Sequence, residues 1–275
     1  MTGMPLRFEE VHYRYPAGVE AIRGVSLAIE PGERVAIVGQ NGAGKTTLVR
    51  HLNGILKPTV GAVHVGDWLT ADHDIAELAA RVGYVFQNPD EQLFARSVQA
   101  DVEFGPRNLG VAPEETTRRA EQALATVGLV EQRNAHPHHL SLSERKRVAL
   151  AGVLAMHTPI VVLDEPTTGQ DAAGIDMVGT VLDTLAADGR TVIVITHDMD
   201  FCAEHFRRVV VMTNGQIQAD GDTRTIFGLE EALAEAAVEP PQLVRLSQRL
   251  GWEYSPLNTE EFVEYCARRR SERIG

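Results

Sequence analysis

The apolar positions along the chain change period several times, and each change marks an element. Val25, Leu27 and Ile29 alternate with Ser26, Ala28 and Glu30 before the Pro31-Gly32 turn, the period-two pattern of a half-buried antiparallel strand. Arg34 to Val38 is apolar after its first residue and runs straight into Gly39, which predicts a buried strand. Leu48, Val49, Leu52 and Ile55 follow at helical spacing and are expected on one helix face. A helix over about Pro113 to Val127 buries Ala120, Ala123, Leu124 and Val127 and stops at Gly128, and another begins near Ser141. Ile160 to Leu163 and Val192 to Ile195 are short apolar runs of buried-strand type, separated by a helix whose face is Ile175, Val178, Val181, Leu182 and Leu185 and whose stop is Gly189. Val209 to Met212 and the stretch after Asn214-Gly215 predict a closing hairpin. From about Asp222 the pattern becomes that of a small helical appendage: Pro240-Pro241, a helix around Leu243 to Leu250, and one opened by Thr259 before Glu260-Glu261-Phe262.

Composition narrows the classes. The 275 residues suit one sizeable α/β domain with an appendage, and 44% hydrophobic with 23% charged residues suits a globular chain. A formal net charge of -12 argues against a duplex nucleic-acid binder, which needs a dense basic face, so no nucleic-acid partner is expected. The basic run Arg268 to Arg273 reads as a solvated tail. Cys202 and Cys266 have no metal-type spacing and no signal-peptide pattern precedes them, so a reducing cytosolic compartment is the expectation. The longest apolar runs fall far short of the ~20 residues a bilayer requires, so any membrane span is expected from another chain. His136, His138 and His139 have no carboxylate or cysteine nearby in sequence and read as a polar connection rather than a metal site.

The chemistry concentrates at strand ends. Gly39-Gln40-Asn41-Gly42-Ala43-Gly44-Lys45-Thr46 fits G-x-x-x-x-G-K-[ST] directly after a strand and before a helix. In that context glycines let backbone N–H groups curl around a β-phosphate, Lys45 reaches the β/γ oxygens, and Thr46 offers a hydroxyl to Mg²⁺. Asn41, Gly42, Ala43, Gly44 and Thr47 are therefore also candidate nucleotide contacts. Ile160 to Leu163 ends in Asp164-Glu165, which places one carboxylate to orient Mg²⁺ and the next to polarise an attacking water.

With Val85-Phe86-Gln87-Asn88-Pro89, Leu140-Ser141 through Arg147, Thr168-Gly169-Gln170-Asp171 and Thr196-His197-Asp198, the chain resembles an ABC transporter ATPase from about Leu6 to Gly221. Within that family it is most similar to the ATPase subunits of energy-coupling-factor importers of cobalt, nickel or vitamins, on Gln87 to Phe94 and Asp101-Val102-Glu103-Phe104-Gly105. The resemblance implies an α/β P-loop NTPase fold of ABC type: a mixed, largely parallel sheet core, an N-terminal antiparallel β subdomain, a helical subdomain over about 90–157, and a helical C-terminal appendage over 222–275, a candidate for dimerisation. It implies ATP and Mg²⁺ as ligands, a second ATPase subunit, a transmembrane coupling subunit, a substrate-binding membrane subunit, and a place on the cytoplasmic face of the membrane. Position by position, Tyr15 would stack on adenine, Gln87 would touch Mg²⁺ or the water and sense the membrane partner, Ser141 would reach the γ-phosphate of the other subunit, and Asp171 would cross the dimer interface. His197 would contact the γ-phosphate and join Glu165 in catalysis.

One segment departs from the pattern. The family signature Leu-Ser-Gly-Gly-Gln is here Leu140-Ser141-Leu142-Ser143-Glu144. Leu142 adds a side chain and Glu144 a charge; at about 8 Å and an effective dielectric of about 20, like charges repel by ~2 kcal/mol. Arg145, Lys146 and Arg147 are expected to offset much of this. An intact near side with an altered signature predicts pairing with a different ATPase, a homodimer being the alternative. Two other functions compete: a regulatory or assembly module with little sustained turnover, and a soluble ABC ATPase acting on ribosomes or DNA. The latter would favour two cassettes in one chain or a long coiled-coil insert.

Overall fold

The computed structural model describes residues 3–272. Strands β1 (Leu6–Arg14) and β2 (Glu20–Ile29) form an antiparallel pair. After them come β3 (Arg34–Val38), α1 (Lys45–Val49), β4 (Val60–Val65), β5 (Trp68–Leu69), α2 (Ile75–Ala79) and β6 (Val82–Val85). Three helices follow, α3 (Val98–Asn108), α4 (Pro113–Thr126) and α5 (Leu142–Met156), and these pack on one another. Then β7 (Ile160–Asp164), α6 (Ala172–Ala187), β8 (Thr191–Ile195), α7 (Met199–His205), β9 (Arg208–Thr213) and β10 (Gln216–Asp222) complete the sheets. The C-terminal part holds α8 (Thr223–Phe227), α9 (Glu230–Glu235), α10 (Gln242–Arg249) and α11 (Thr259–Glu272).

The strands make two sheets. One is antiparallel in the order β2-β1-β4-β5. The other runs β10-β9-β3-β8-β7-β6, parallel throughout except for the β9–β10 hairpin at its edge. Parallel strands covered on both faces are apolar along their whole length, which is why β7 and β8 are buried at every position. One face packs against the antiparallel sheet through Phe8, Ile22, Ile29, Ile37 and Leu48, the other against the helices through Val148, Leu163, Val178 and Leu182. The neighbours of β3 were both added later in the chain, so the loop leaving its C-terminal end opens at a place where ligands collect in open α/β sheets.

Four features differ from the sequence expectation. Helix α1 ends at Val49 and the chain continues through i→i−3 bonds, His51 N to Leu48 O and Leu52 N to Val49 O. The ladder tightens ahead of Asn53-Gly54, so Ile55 leaves the helix face and stands 38% exposed. The region after Asp222 holds α8 and α9 as well as the two helices expected, and Ile226, Phe227, Leu233, Ala236, Val238 and Val244 belong to the main core cluster. The basic run is not simply a solvated tail: Arg269 lies 5.4 Å from the Trp252 ring centroid, while Arg273 falls outside the described residues. His138, expected to lack a carboxylate, stands 3.6 Å from Asp90, though among the described residues no cluster of three His, Cys, Asp or Glu forms at metal-binding distance.

Candidate nucleotide site

Residues 39–44 link the end of β3 to α1, and the loop's conformation requires its glycines. Gly39 has φ 147° and a Cβ there would lie 2.1 Å from the Met212 carbonyl oxygen. Gly44 has φ 100° and a Cβ would meet the Ala21 carbonyl oxygen at 2.6 Å. The backbone can therefore approach β2 and β9 while its other side stays open. Lys45, 7% exposed, folds back along this loop and donates to the Gly39 and Gln40 carbonyls at 2.6 and 3.0 Å. Burial holds its ammonium below the ordinary lysine range, against the opposing pull of Glu165 and Asp164. The result is a cation poised over an open cleft lined by Tyr15, Asn41 to Thr47, Gln87, Glu165 and Ile195. Tyr15 is held at its edge by a hydroxyl contact with Thr47 at 3.0 Å.

The neighbouring strands bring carboxylates to the same end. Asp164, at the tip of β7, accepts from Thr46 Oγ1 at 3.3 Å. Burial raises its pKa, while the hydrogen bonds from Thr46 and Tyr84 work against that rise. A hydroxyl and a carboxylate converging beside the loop are oxygen donors of the kind Mg²⁺ accepts, with phosphates and waters supplying the rest, so these residues fit that ion. Glu165 follows with φ 53°, a left-handed conformation costly for a residue with a Cβ. The surroundings impose it: its amide donates to Ile195 O at 2.9 Å, and Lys146 Nζ donates to its carbonyl at 2.9 Å. Its carboxylate is 2.7 Å from His197 Nδ1 and accepts from Thr168 at 3.1 Å. A buried glutamate and a histidine from adjacent strand ends thus meet at the mouth of the cleft.

The ABC transporter family matches residues 22–168. The energy-coupling factor transporter ATP-binding protein EcfA of Methanothermobacter thermautotrophicus is 43% identical over 89% of this chain and 79% of its own length. The chain belongs to the ABC transporter family. The EcfA protein of Methanocaldococcus jannaschii is 41% identical over 88% of each chain. Among solved structures, cbiO1 of Clostridium perfringens, described as part of the ABC transporter complex cbiONQ, is 35% identical with a TM-score of 0.73, covering 90% of this chain and 98% of its own. A dimeric ATP-binding cassette in a post-hydrolysis state with ADP and Pi is 29% identical with a TM-score of 0.73, covering 80% and 99%. This chain is accordingly an ABC ATPase of the energy-coupling-factor type, and ATP with Mg²⁺ are its ligands.

Not every expected residue of this ABC ATPase gathers at the cleft. Ser141 and Asp171 are exposed N-caps of α5 and α6 and do not line it. Ser141 is also occupied: its hydroxyl donates to Glu144 Oε2 at 2.7 Å, its amide donates to the same oxygen at 2.9 Å, and its Oγ accepts from the Glu144 amide. Ser141 and Glu144 form a capping box, which the family's glutamine at this place would also permit, and Glu144 is folded onto the helix end rather than projecting freely. Those contacts with Ser141, aided by Arg147, hold the Glu144 carboxyl below the usual range. Lys146 does not offset this charge as expected. It turns inward to Glu165, and Arg145 faces Asp90 and the Leu140 carbonyl.

Sequence reasoning missed Tyr84, Lys146 and Thr168 as members of the site. Thr168 lies three residues after Glu165, a usable signal. Tyr84 and Lys146 arrive through strand pairing and helix packing, which leave no local mark.

Proposed function

We propose that this chain is the ATP-hydrolysing subunit that energises an energy-coupling-factor importer of a metal ion or vitamin at the cytoplasmic face of the membrane. The observation that carries this reading is the convergence of Lys45, Thr46, Asp164, Glu165 and His197 on one cleft edge. Tyr15 stacks on adenine, and the backbone of Gly39 to Thr47 wraps the phosphates. Lys45 exchanges its loop carbonyls for phosphate oxygens. Thr46, Asp164 and Gln87 hold Mg²⁺, which when bound draws negative charge from the phosphate oxygens. Glu165 orients and polarises the attacking water, and His197 holds that carboxylate while facing the γ-phosphate.

The site is completed by a second ATPase, which we take to be a different chain, with Ser141 and Asp171 serving the partner's nucleotide. The relatives' names, the cbiONQ complex and the dimeric cassette support a membrane assembly of this type. In this reading residues 1–221 form the ATPase, and the helices after residue 222 contribute to subunit pairing. Among the described residues no helix is long and apolar enough to cross a membrane, so the span belongs to a partner. Purification of the chain with its membrane partners, followed by phosphate release from the assembly, tests the proposal. Release of phosphate by a complex holding a second ATPase and a substrate-binding membrane protein supports it. One observation favours the alternative of a module with little turnover, the tie between Ser141 and Glu144, and an assembled complex that binds ATP without releasing phosphate would select it.

A further inference from the structure

Tyr84 pairs with Val162 across β6 and β7, and its side chain is 7% exposed. Its hydroxyl donates to Asp164 Oδ2 at 3.0 Å, whereas Thr46 occupies Oδ1. Asp164 is 1% exposed, and among the described residues these two hydroxyls are the hydrogen-bond donors to its carboxylate. The charged groups of Lys45, Arg50, Lys146 and Glu165 lie around it. The phenol is fixed from behind, because its ring lies 4.9 Å from that of Phe86 and forms part of the wall of an apolar groove with Ile75, Phe94 and Met156.

We propose that Tyr84 is a positioning residue for the metal: by holding Oδ2 it keeps Oδ1 turned toward Thr46, the side on which both groups would face Mg²⁺. This rests on the reading of Asp164 as a metal-holding residue. A buried carboxylate deprived of one of two donors keeps an unsatisfied oxygen, and the carboxylate rotates toward whatever donor or cation remains. With Tyr84 gone, the freed Oδ2 is drawn toward the nearby cations Arg50 and Lys146, and that rotation takes Oδ1 away from Thr46. ATP itself, held by the loop backbone and Lys45, does not depend on that orientation.

The test uses the full chain carrying Tyr84→Phe, which retains the ring packed on Phe86, beside Asp164→Asn. A non-hydrolysable ATP analogue is bound with and without metal, and bound Mn²⁺ is counted by electron paramagnetic resonance. Loss of one hydrogen bond to a buried charge predicts that Tyr84→Phe needs about tenfold more metal for half-saturation, with metal-free nucleotide affinity changed by less than about twofold. A metal requirement equal to the parent's in Tyr84→Phe, with a raised one in Asp164→Asn, overturns the role of Tyr84 alone. If Asp164→Asn also leaves the requirement unchanged, it is the metal reading of the site that fails. Loss of cooperative melting, or an equal fall in metal-free nucleotide affinity, assigns Tyr84 to fold stability and also overturns the proposal.

Discussion

Glu144→Gln removes the charge that the altered signature introduces and leaves the cap in place. Glutamine can make the same reciprocal bonds with Ser141, so the capping box at the start of α5 survives and stability should change by less than about 0.5 kcal/mol. The charge disappears. If the signature faces the partner's γ-phosphate at about 8 Å, the repulsion removed lies between ~0.5 kcal/mol for water-like screening and ~2 kcal/mol at an effective dielectric of 20. That corresponds to about twofold to thirtyfold tighter closure. Glu144 is solvent-facing and lies near Arg147, and both features push toward the lower bound. The assay is the ATP concentration that half-saturates dimerisation, measured at low and high salt. The parent should close more readily as salt rises, and the variant should lose most of that dependence. A salt response identical in parent and variant, with equal half-saturation, would refute the placement of Glu144 near bound phosphate.

Two further outcomes follow from the near side of the site. His197→Ala removes the 2.7 Å contact to Glu165 while Thr168 still holds that carboxylate, so kcat should fall about tenfold to a hundredfold with KM little changed; an unaltered kcat in steady-state phosphate release would exclude the role given to His197. Burial lowers the pKa of Lys45 in the free site, and bound phosphate should raise it again. ATP affinity is then full below the free-site value and falls as pH rises through the window between the two. Calorimetric titration in two buffers of different ionisation enthalpy should detect proton uptake in that window and none below it, and release instead of uptake would reverse the assignment.

The phosphate loop was legible because its requirements are local: glycines at fixed spacing, a strand before, a helix after. The same holds for Asp164 and Glu165 at the end of an apolar run, and for the Asn214-Gly215 hairpin. Chain periodicity failed at Ile55, where the helix tightened and ended before its apolar pattern did. Charge in sequence was a poor guide to direction. Arg145, Lys146 and Arg147 look like one solvated run, yet α5 turns the middle residue through the core to the Glu165 carbonyl. Tyr84 carried no sequence signal, since its link to Asp164 spans 80 residues and exists only because β6 and β7 pair in parallel. The capping box at Ser141 did leave a local signal that went unread, since a serine three residues before a glutamate at a helix start is its usual pattern.

We propose that ATP bound on Gly39 to Thr46 is cleaved with Glu165 polarising the water. Glu165→Gln tests it most directly: the charge is lost while the shape and the contacts within the left-handed turn can persist. With Mg²⁺ and ATP, phosphate release by the assembly should fall by about a hundredfold or more, and the protein should accumulate in ATP-loaded dimers with its partner ATPase on size exclusion. Turnover at the parent rate, with no such dimers, would contradict the account.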